Sequence, residues 1–444
     1  MPLDRPAHRP STLASVVVVV ALCAGCVGDG PVAPSTATTQ AVSTTTEPPP
    51  APAGTTAPSP TSRDPATQAD LDRRMRDTAW ANDVAAARDL IAQGADVNAK
   101  DSTQQSAYLV TTSEGYLDLL DLTLANGADV ASKDSFNGTG LIRASERGHT
   151  GVVGRLIRAG VELNHVNRLG WTALHEAIIF PRTREVPPGK DTPTYDDTVR
   201  VLVAGGADVR LPSRRDGVAP VEHARGKGYA AQVATLEKAI RQDGAGPVDH
   251  AEANRRLLSA ADAGDADGVA LALRAGADQE TTDGGRRTPL LLAVTNDRTD
   301  VARILVPLGA DPDALDAQHD TPWLVTGVTG SVAMLEALLP AHPDLTIRNR
   351  FGGLSVIPAS ERGHVDYVRR VVQTGIDVNH VNDLGWTAML EAVILGDGGP
   401  RHQEIVRILL AAGASRAIAD KNGVTPLQHA QRKGYRELVA ILSA

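Results

Sequence analysis

The sequence predicts an all-α solenoid made of stacked pairs of short helices. Three observations predict it. First, the chain is written twice: Asn164-His165-Val166-Asn167-Arg168-Leu169-Gly170-Trp171-Thr172-Ala173-Leu174 returns as Asn379-His380-Val381-Asn382-Asp383-Leu384-Gly385-Trp386-Thr387-Ala388-Met389, an offset of 215 residues (379 − 164). Second, a Gly-Ala-Asp marker recurs every 33 residues within each copy. Third, each period carries the start and stop chemistry of two helices. Units of this size bury their apolar faces only by leaning on neighbours. Such stacks make binding surfaces and rarely make catalytic pockets.

Residues 1–26 read as a targeting segment outside the fold. Arg5 and Arg9 form a basic start, Leu13 to Leu22 is apolar around Val16-Val17-Val18-Val19-Val20, and Cys23-Ala24-Gly25-Cys26 follows. This resembles a bacterial lipobox with Cys26 as the lipidated residue, although Cys23 stands where a leucine is usual. A lipoprotein signal is the leading expectation. An ordinary cleaved signal (a secreted protein) and an uncleaved anchor remain open. Two acyl chains on Cys26 would suffice for stable membrane attachment.

Residues 27–66 are rich in Thr, Pro, Ala and Ser, as in Pro48-Pro49-Pro50 and Thr44-Thr45-Thr46. They hold too little apolar matter to fold. A semi-extended spacer with a reach on the order of 100 Å is expected, from about 3.1 Å per residue.

The first array is placed at 67–241, with about five units. Its marker starts at Gly94, Gly127, Gly160 (as Gly-Val-Glu) and, after an interval of 46, Gly206. A joint follows at 242–250. The second array is placed at 251–444, with about six units. Its markers start at Gly276, Gly309, His342 (as His-Pro-Asp), Gly375 and Gly413. Asp101–His149 match Asp316–His364 at the offset of 215, but Arg73-Arg74 and Gly94 match Arg255-Arg256 and Gly276 at 182. The difference is one 33-residue unit, assigned to residues 283–315. Each array opens on a polar helix, as at Asp70, Asp72, Arg73, Arg74, Arg76 and Asp77, which suits a cap with no outer neighbour. Two caps imply two solenoids, and the first is expected to fold alone. The joint is short enough that one kinked superhelix stays open.

Within a unit, Thr425 is a natural N-cap and Pro426 a natural first helical residue, since its missing N–H is not needed there. Gly148 and Gly363 suit the ends of first helices, and Gly160 and Gly413 the ends of second helices. Val152, Val153, Leu156 and Ile157 show helical apolar spacing, as do Ile405, Ile408 and Leu409. Asn167-Arg168-Leu169-Gly170 and Asp420-Lys421-Asn422-Gly423 carry turn chemistry. Each unit therefore reads turn, helix, turn, helix.

The period of 33 together with Thr288-Pro289-Leu290, Thr321-Pro322-Trp323, Thr425-Pro426-Leu427 and Thr172-Ala173-Leu174-His175-Glu176-Ala177 resembles the ankyrin-repeat family. The resemblance covers roughly residues 67–444. It implies helix-turn-helix units with exposed hairpins, and a protein that binds other proteins. It also implies that His175 is a structural hydrogen-bonding group.

Composition narrows the partners. The net charge is −9 and only 3% of residues are aromatic. An acidic chain lacks the basic footprint that nucleic acid requires. The only two cysteines are Cys23 and Cys26, so the folded region forms no disulfides. No phosphate loop, dinucleotide glycine pattern, nucleophile elbow or metal spacing occurs, so no cofactor, metal or catalytic residue is assigned.

Candidate partner-binding positions follow from the duplication. Trp171 and Trp386 follow the turn glycine, where a tryptophan either anchors a partner or packs on the next unit. His165, His380, Arg168 and Asp383 lie in the same turns. Tyr108 and Trp323 occupy the leucine position of the signature and are expected in the core. Glu176 and Glu391 read as structural contacts. Phe180–Asp197 interrupts a unit with Arg182, Arg184 and Lys190, and such insertions map to loops on one face. The expected protein is a monomeric, non-enzymatic interaction scaffold, held outside the cytoplasmic membrane by a lipid on Cys26. The alternative is an envelope enzyme or enzyme-maturation factor that uses residues 181–197.

Overall fold

The computed structural model describes residues 64–180 and 195–444. The first array contains α1 (Pro65–Ala81), α2 (Val84–Ala92), α3 (Ala107–Glu114), α4 (Leu117–Ala125), α5 (Gly140–Arg147), α6 (Thr150–Arg158), α7 (Ala173–Ile179), α8 (Tyr195–Ala204), α9 (Pro220–Gly226) and α10 (Ala230–Gly244). The second contains α11 (His250–Ala263), α12 (Ala266–Arg274), α13 (Pro289–Thr295), α14 (Thr299–Leu305), α15 (Pro322–Thr329), α16 (Val332–Leu338), α17 (Val356–Glu361), α18 (Val365–Val371), α19 (Ala388–Ile394), α20 (Pro400–Ala411), α21 (Pro426–Arg432) and α22 (Arg436–Ser443). That is five helical pairs and then six. Among the described residues the hairpins contribute one isolated bridge, Lys133 to Thr139, and no strand.

The helices are short because their ends are chemically fixed. Thr172, Thr288, Thr321, Thr387 and Thr425 each cap a first helix by accepting from the N–H three residues on. This satisfies a donor that the helix itself cannot satisfy. At the other end of α5, Gly148 takes a left-handed conformation with φ of 68°, which lets the chain reverse into α6. The array begins slightly earlier than residue 67, because the Asp64 side chain accepts from Thr67 N and caps α1. The joint is shorter than 242–250, because α10 continues to Gly244 and leaves residues 245–249 as the link.

First helices stack on first helices, from α1 through α9 and again from α11 through α21. Second helices form a parallel outer row. Tyr108 and Trp323 are fully buried between units, as the signature position requires.

The two arrays lie back to back. The outer helix α8 packs against α12 and α14 of the second array, and α10 packs against α12. One apolar core runs from Tyr108 to Leu442 across both arrays, and a smaller core around Met75 and Leu119 joins the first two pairs. Since the outer rows meet, the inner faces and hairpins are turned away from each other. The arrays approach closely at Gly154 of α6, where an added Cβ would sit 2.4 Å from Pro307 Cβ and 2.5 Å from its carbonyl.

Arginine–carboxylate clamps cross this seam. Asp267 of α12 accepts from Arg200 Nε (2.9 Å), Lys238 Nζ (2.8 Å) and Thr235 Oγ1 (2.7 Å), all of the first array. Arg303 of α14 donates to Asp197 of α8 (2.7 Å). Arg274 of α12 pairs with Asp243 and also reaches the Val203 and Ala207 carbonyls. Arg155 of α6 is only 5% exposed; it holds Asp121 and donates to the Pro340 carbonyl (2.5 Å). Burial alone would push Asp267 up; the three donors outweigh it and hold the carboxyl below its usual range.

Removing Asp267 leaves Thr235 and Lys238 without their acceptor and Arg200 with Asp197 alone. Asp267→Ala is expected to lower the unfolding free energy of the whole chain by about 3 kcal/mol. Asp300→Ala, which removes an exposed partner of Arg303, should leave the urea midpoint unchanged. Equal effects would remove the seam's special standing.

Candidate functional site

In four hairpins the residue that starts the turn pairs with the residue nine positions later. Asn167 Oδ1 accepts from Leu169 N and Trp171 N (3.0 Å each), which closes the turn. Its Nδ2 then donates to Glu176 Oε1 (2.7 Å). Asn382 repeats this with Leu384 N (3.1 Å), Trp386 N (2.9 Å) and Glu391 (2.8 Å). Two turns that begin with aspartate face a nitrogen donor instead: Arg143 Nε lies 3.3 Å from Asp134 and His429 Nε2 lies 2.8 Å from Asp420. An amide has a donor to spare for a carboxyl, whereas a carboxylate has none.

Glu176 and Glu391 are 2% and 5% exposed, each on the first turn of an inner helix (α7 and α19). Burial, helped by the Glu146 carboxylate, pushes Glu176 up to about 8 against the opposing Asn167 hydrogen bond and Arg143. Burial and Glu361 push Glu391 up to about 7 against the Asn382 hydrogen bond. Glu176 Oε2 meets no hydrogen-bond partner. These residues were expected to be structural contacts. They are that, and each also lines a groove on an inner face.

The two grooves correspond at the offset of 215. The first, about 210 Å³, is bounded by Phe136, Leu169, Phe180, Arg143 and Glu146. The second, about 620 Å³, has Phe351, Leu384, Leu395, Pro358 and Glu361 in the same places and continues under the hairpins before α13 and α15. Phe136 and Phe351 are 53% and 54% exposed, and Leu169, Leu384 and Leu395 are exposed beside them. Apolar side chains gathered at the rim of a groove mark an interaction surface. Sequence reasoning passed over both phenylalanines. The signal was present: an aromatic two residues past the turn's Asp134 or Asn349, where polar turn residues are the norm.

The tryptophans stand one step behind that rim. Trp171 is half-buried, edge-on to Phe180 (centroids 6.1 Å apart, 84°), with the Arg215 guanidinium 5.3 Å from its ring. Trp386 is half-buried as well. His165 Nε2 donates to the Asn137 carbonyl (2.7 Å) and His380 Nε2 to the Gly352 carbonyl (2.6 Å), so both tie one hairpin to the preceding one. Arg168 donates to Ser135 O (2.8 Å), and the Asp383 carbonyl accepts from Lys421 Nζ. Both of these residues remain exposed at the tips. Cys26, Arg182, Arg184 and Lys190 lie outside the described residues.

His175 is buried and pushed down to about 4 by that burial, hence neutral. Its Nδ1 meets Thr172 Oγ1 (2.9 Å), which completes a capping box, and its ring packs edge-on to His223. Among the described residues no cluster of His, Cys, Asp or Glu is arranged to hold a metal, and no helix is long and apolar enough to cross a membrane.

Known proteins resemble this chain in the same regions. The family model described as ankyrin repeats (3 copies) matches residues 106–213, 323–415 and 356–444, and the single ankyrin repeat model matches 286–317. The ankyrin repeat protein YahD of Escherichia coli is 39% identical over 188 residues, which is 42% of this chain and 94% of that protein. A solved ankyrin repeat domain from Acinetobacter baumannii is 43% identical, covering 42% of this chain and 95% of that one, with a TM-score of 0.41. Another solved ankyrin repeat protein is 37% identical over 43% of this chain and 97% of its own length, with a TM-score of 0.42.

Raised carboxyl groups make stability depend on pH in a definite direction. The folded chain holds protons on Glu176 and Glu391 that the unfolded chain releases near the ordinary glutamate value. Their contribution is therefore complete below about pH 4.5 and is lost as the pH rises through about 7 and 8. Glu176→Gln with Glu391→Gln should flatten the urea stability profile between pH 5 and 9 and raise stability at pH 9 by on the order of 3 kcal/mol. A profile identical to wild type would place both groups at ordinary values.

Proposed function

This chain belongs to the ankyrin-repeat family, and from that premise we propose that it is a two-faced interaction scaffold tethered outside the cytoplasmic membrane. Ankyrin repeats are protein-interaction modules, and the repeats here cover both arrays. One observation carries the finer reading. Each inner face presents the same apolar rim around the same buried glutamate, and the seam turns the two faces apart. A scaffold of this shape engages a partner on each side.

The anchors proposed are Phe136 and Leu169 on one face and Phe351 and Leu384 on the other, with Trp171 and Trp386 stiffening the turns that present them. A few apolar anchors over a polar surface supply most of the affinity in such interfaces. The chain acts by holding partners, and no reaction is assigned to it. The tether rests on Ala24-Gly25-Cys26 after an apolar run, followed by a spacer rich in Pro and Thr.

Two outcomes are expected. Crosslinking in the native cell envelope should recover a protein with the full chain, and Phe136→Ala or Phe351→Ala should reduce recovery at least several-fold at unchanged melting temperature. Recovery independent of both substitutions would place binding elsewhere. Mass spectrometry of the mature protein should find a diacylated N-terminal Cys26; a mature chain that begins at another residue removes the tether.

A further inference from the structure

We propose that the groove of the second array binds an arginine side chain of the partner protein, seated between Glu361 and Glu391. The inference rests on the scaffold reading above and names what that face recognises.

The first array shows what the second lacks. In the first groove Arg143 pairs with Glu146 Oε2 (2.7 Å) and Asp134 Oδ2 (3.3 Å), and its charge acts on Glu176. A guanidinium thus fills the space between the hairpin, α5 and α7. At the matched positions the second array keeps Glu361 and Glu391 but has Asn349 for Asp134 and Pro358 for Arg143. The guanidinium is gone and both glutamates remain. The Glu361 carboxylate forms no ion pair with the described residues. The cavity is larger here, about 620 Å³ against about 210 Å³.

The other charges around this groove do not replace the lost arginine. Arg287 is bound by Asp283 (2.6 Å) and Arg350 by Asp320 (3.0 Å). Asp316 is spent on its own turn, accepting from Gln318 N and Asp320 N. Arg362, the residue that caps α17, lines the groove as well but forms no ion pair with Glu361 or Glu391. Two neighbouring carboxyls with no cation between them are electrostatically frustrated, and one bidentate cation relieves both. Phe351, Leu384 and Leu395 are exposed at the mouth and suit the apolar stem that an arginine carries behind its head. Arginine is chosen over lysine because a planar fork reaches two carboxyls at once.

The test uses the full chain and the peptide acetyl-Leu-Arg-Leu-amide, with its citrulline analogue as the uncharged isostere. By NMR titration to millimolar concentration the arginine peptide should bind, and the citrulline peptide should bind at least tenfold more weakly. Pro358→Arg restores the residue found in the first array and should block binding with no loss of melting temperature. Glu361→Gln with Glu391→Gln should also abolish it. No binding of the arginine peptide, equal binding of the citrulline peptide, or full binding by Pro358→Arg would each overturn the assignment. Capture of a partner that depends on Phe351 yet is undiminished in Pro358→Arg would sink this inference and leave the scaffold standing.

Discussion

The seam between the two outer rows of helices is the constraint on which the rest of the molecule depends. In a free solenoid the second helices have a wet side. Here α6 and α8 have almost none: Thr150 through Leu156 are all buried, and so are Val201, Leu202 and Val203. A helix buried all round belongs to an interior. The polar groups at this interior are arginines and aspartates in multiple hydrogen bonds. A guanidinium has five donors to distribute, which is how Arg155 and Arg274 serve both a carboxylate and main-chain carbonyls. Because α6, α8, α12 and α14 are consumed in this way, the hairpins and first helices of these units are what they leave for partners.

The repeated pairing of turn and inner helix gives the surface its chemistry. At Asp134 and Asp420 the turn aspartate meets arginine or histidine, and at Asn167 and Asn382 the asparagine meets glutamate. The duplication kept two Asn–Glu pairs intact, at 167 and 176 and at 382 and 391. It changed the unit before them, where Asp134 and Arg143 became Asn349 and Pro358. Losing both charges together keeps the turn satisfied, since Asn349 Oδ1 still accepts from Phe351 N and Gly353 N at 2.9 Å. The same change opens the second groove. Two copies of one framework therefore differ at the floor of the groove while their rims stay alike.

Much of the fold was legible in the sequence, because a period, a cap and a signature each report on local chemistry. Thr425 before Pro426 could only begin a helix, and the five and six units follow from the spacing of the markers. The seam was harder, since it pairs residues far apart in sequence that share no motif. Its trace is a comparison: Gly154 stands where the second copy has Arg369, an exposed residue paired with Asp366. A glycine on the outer face of one copy and an arginine on the other signals that only the first is covered. The rim was missed for a different reason. Phe136 and Phe351 sit in turns outside the long stretch of identity around Trp171 and Trp386, whose rings are partly enclosed.

The short link from Ala245 to Asp249 has a thermodynamic consequence. It makes docking of one array on the other a unimolecular event. Short tethers confer effective concentrations in the millimolar range, so association that would be feeble between separate chains is nearly complete within one. The clamps are thus relieved of supplying great strength and act chiefly to select one register. A second register would strand Asp267 or Arg155 without its counterpart, and the stacks are held at a fixed angle as though cast in one piece.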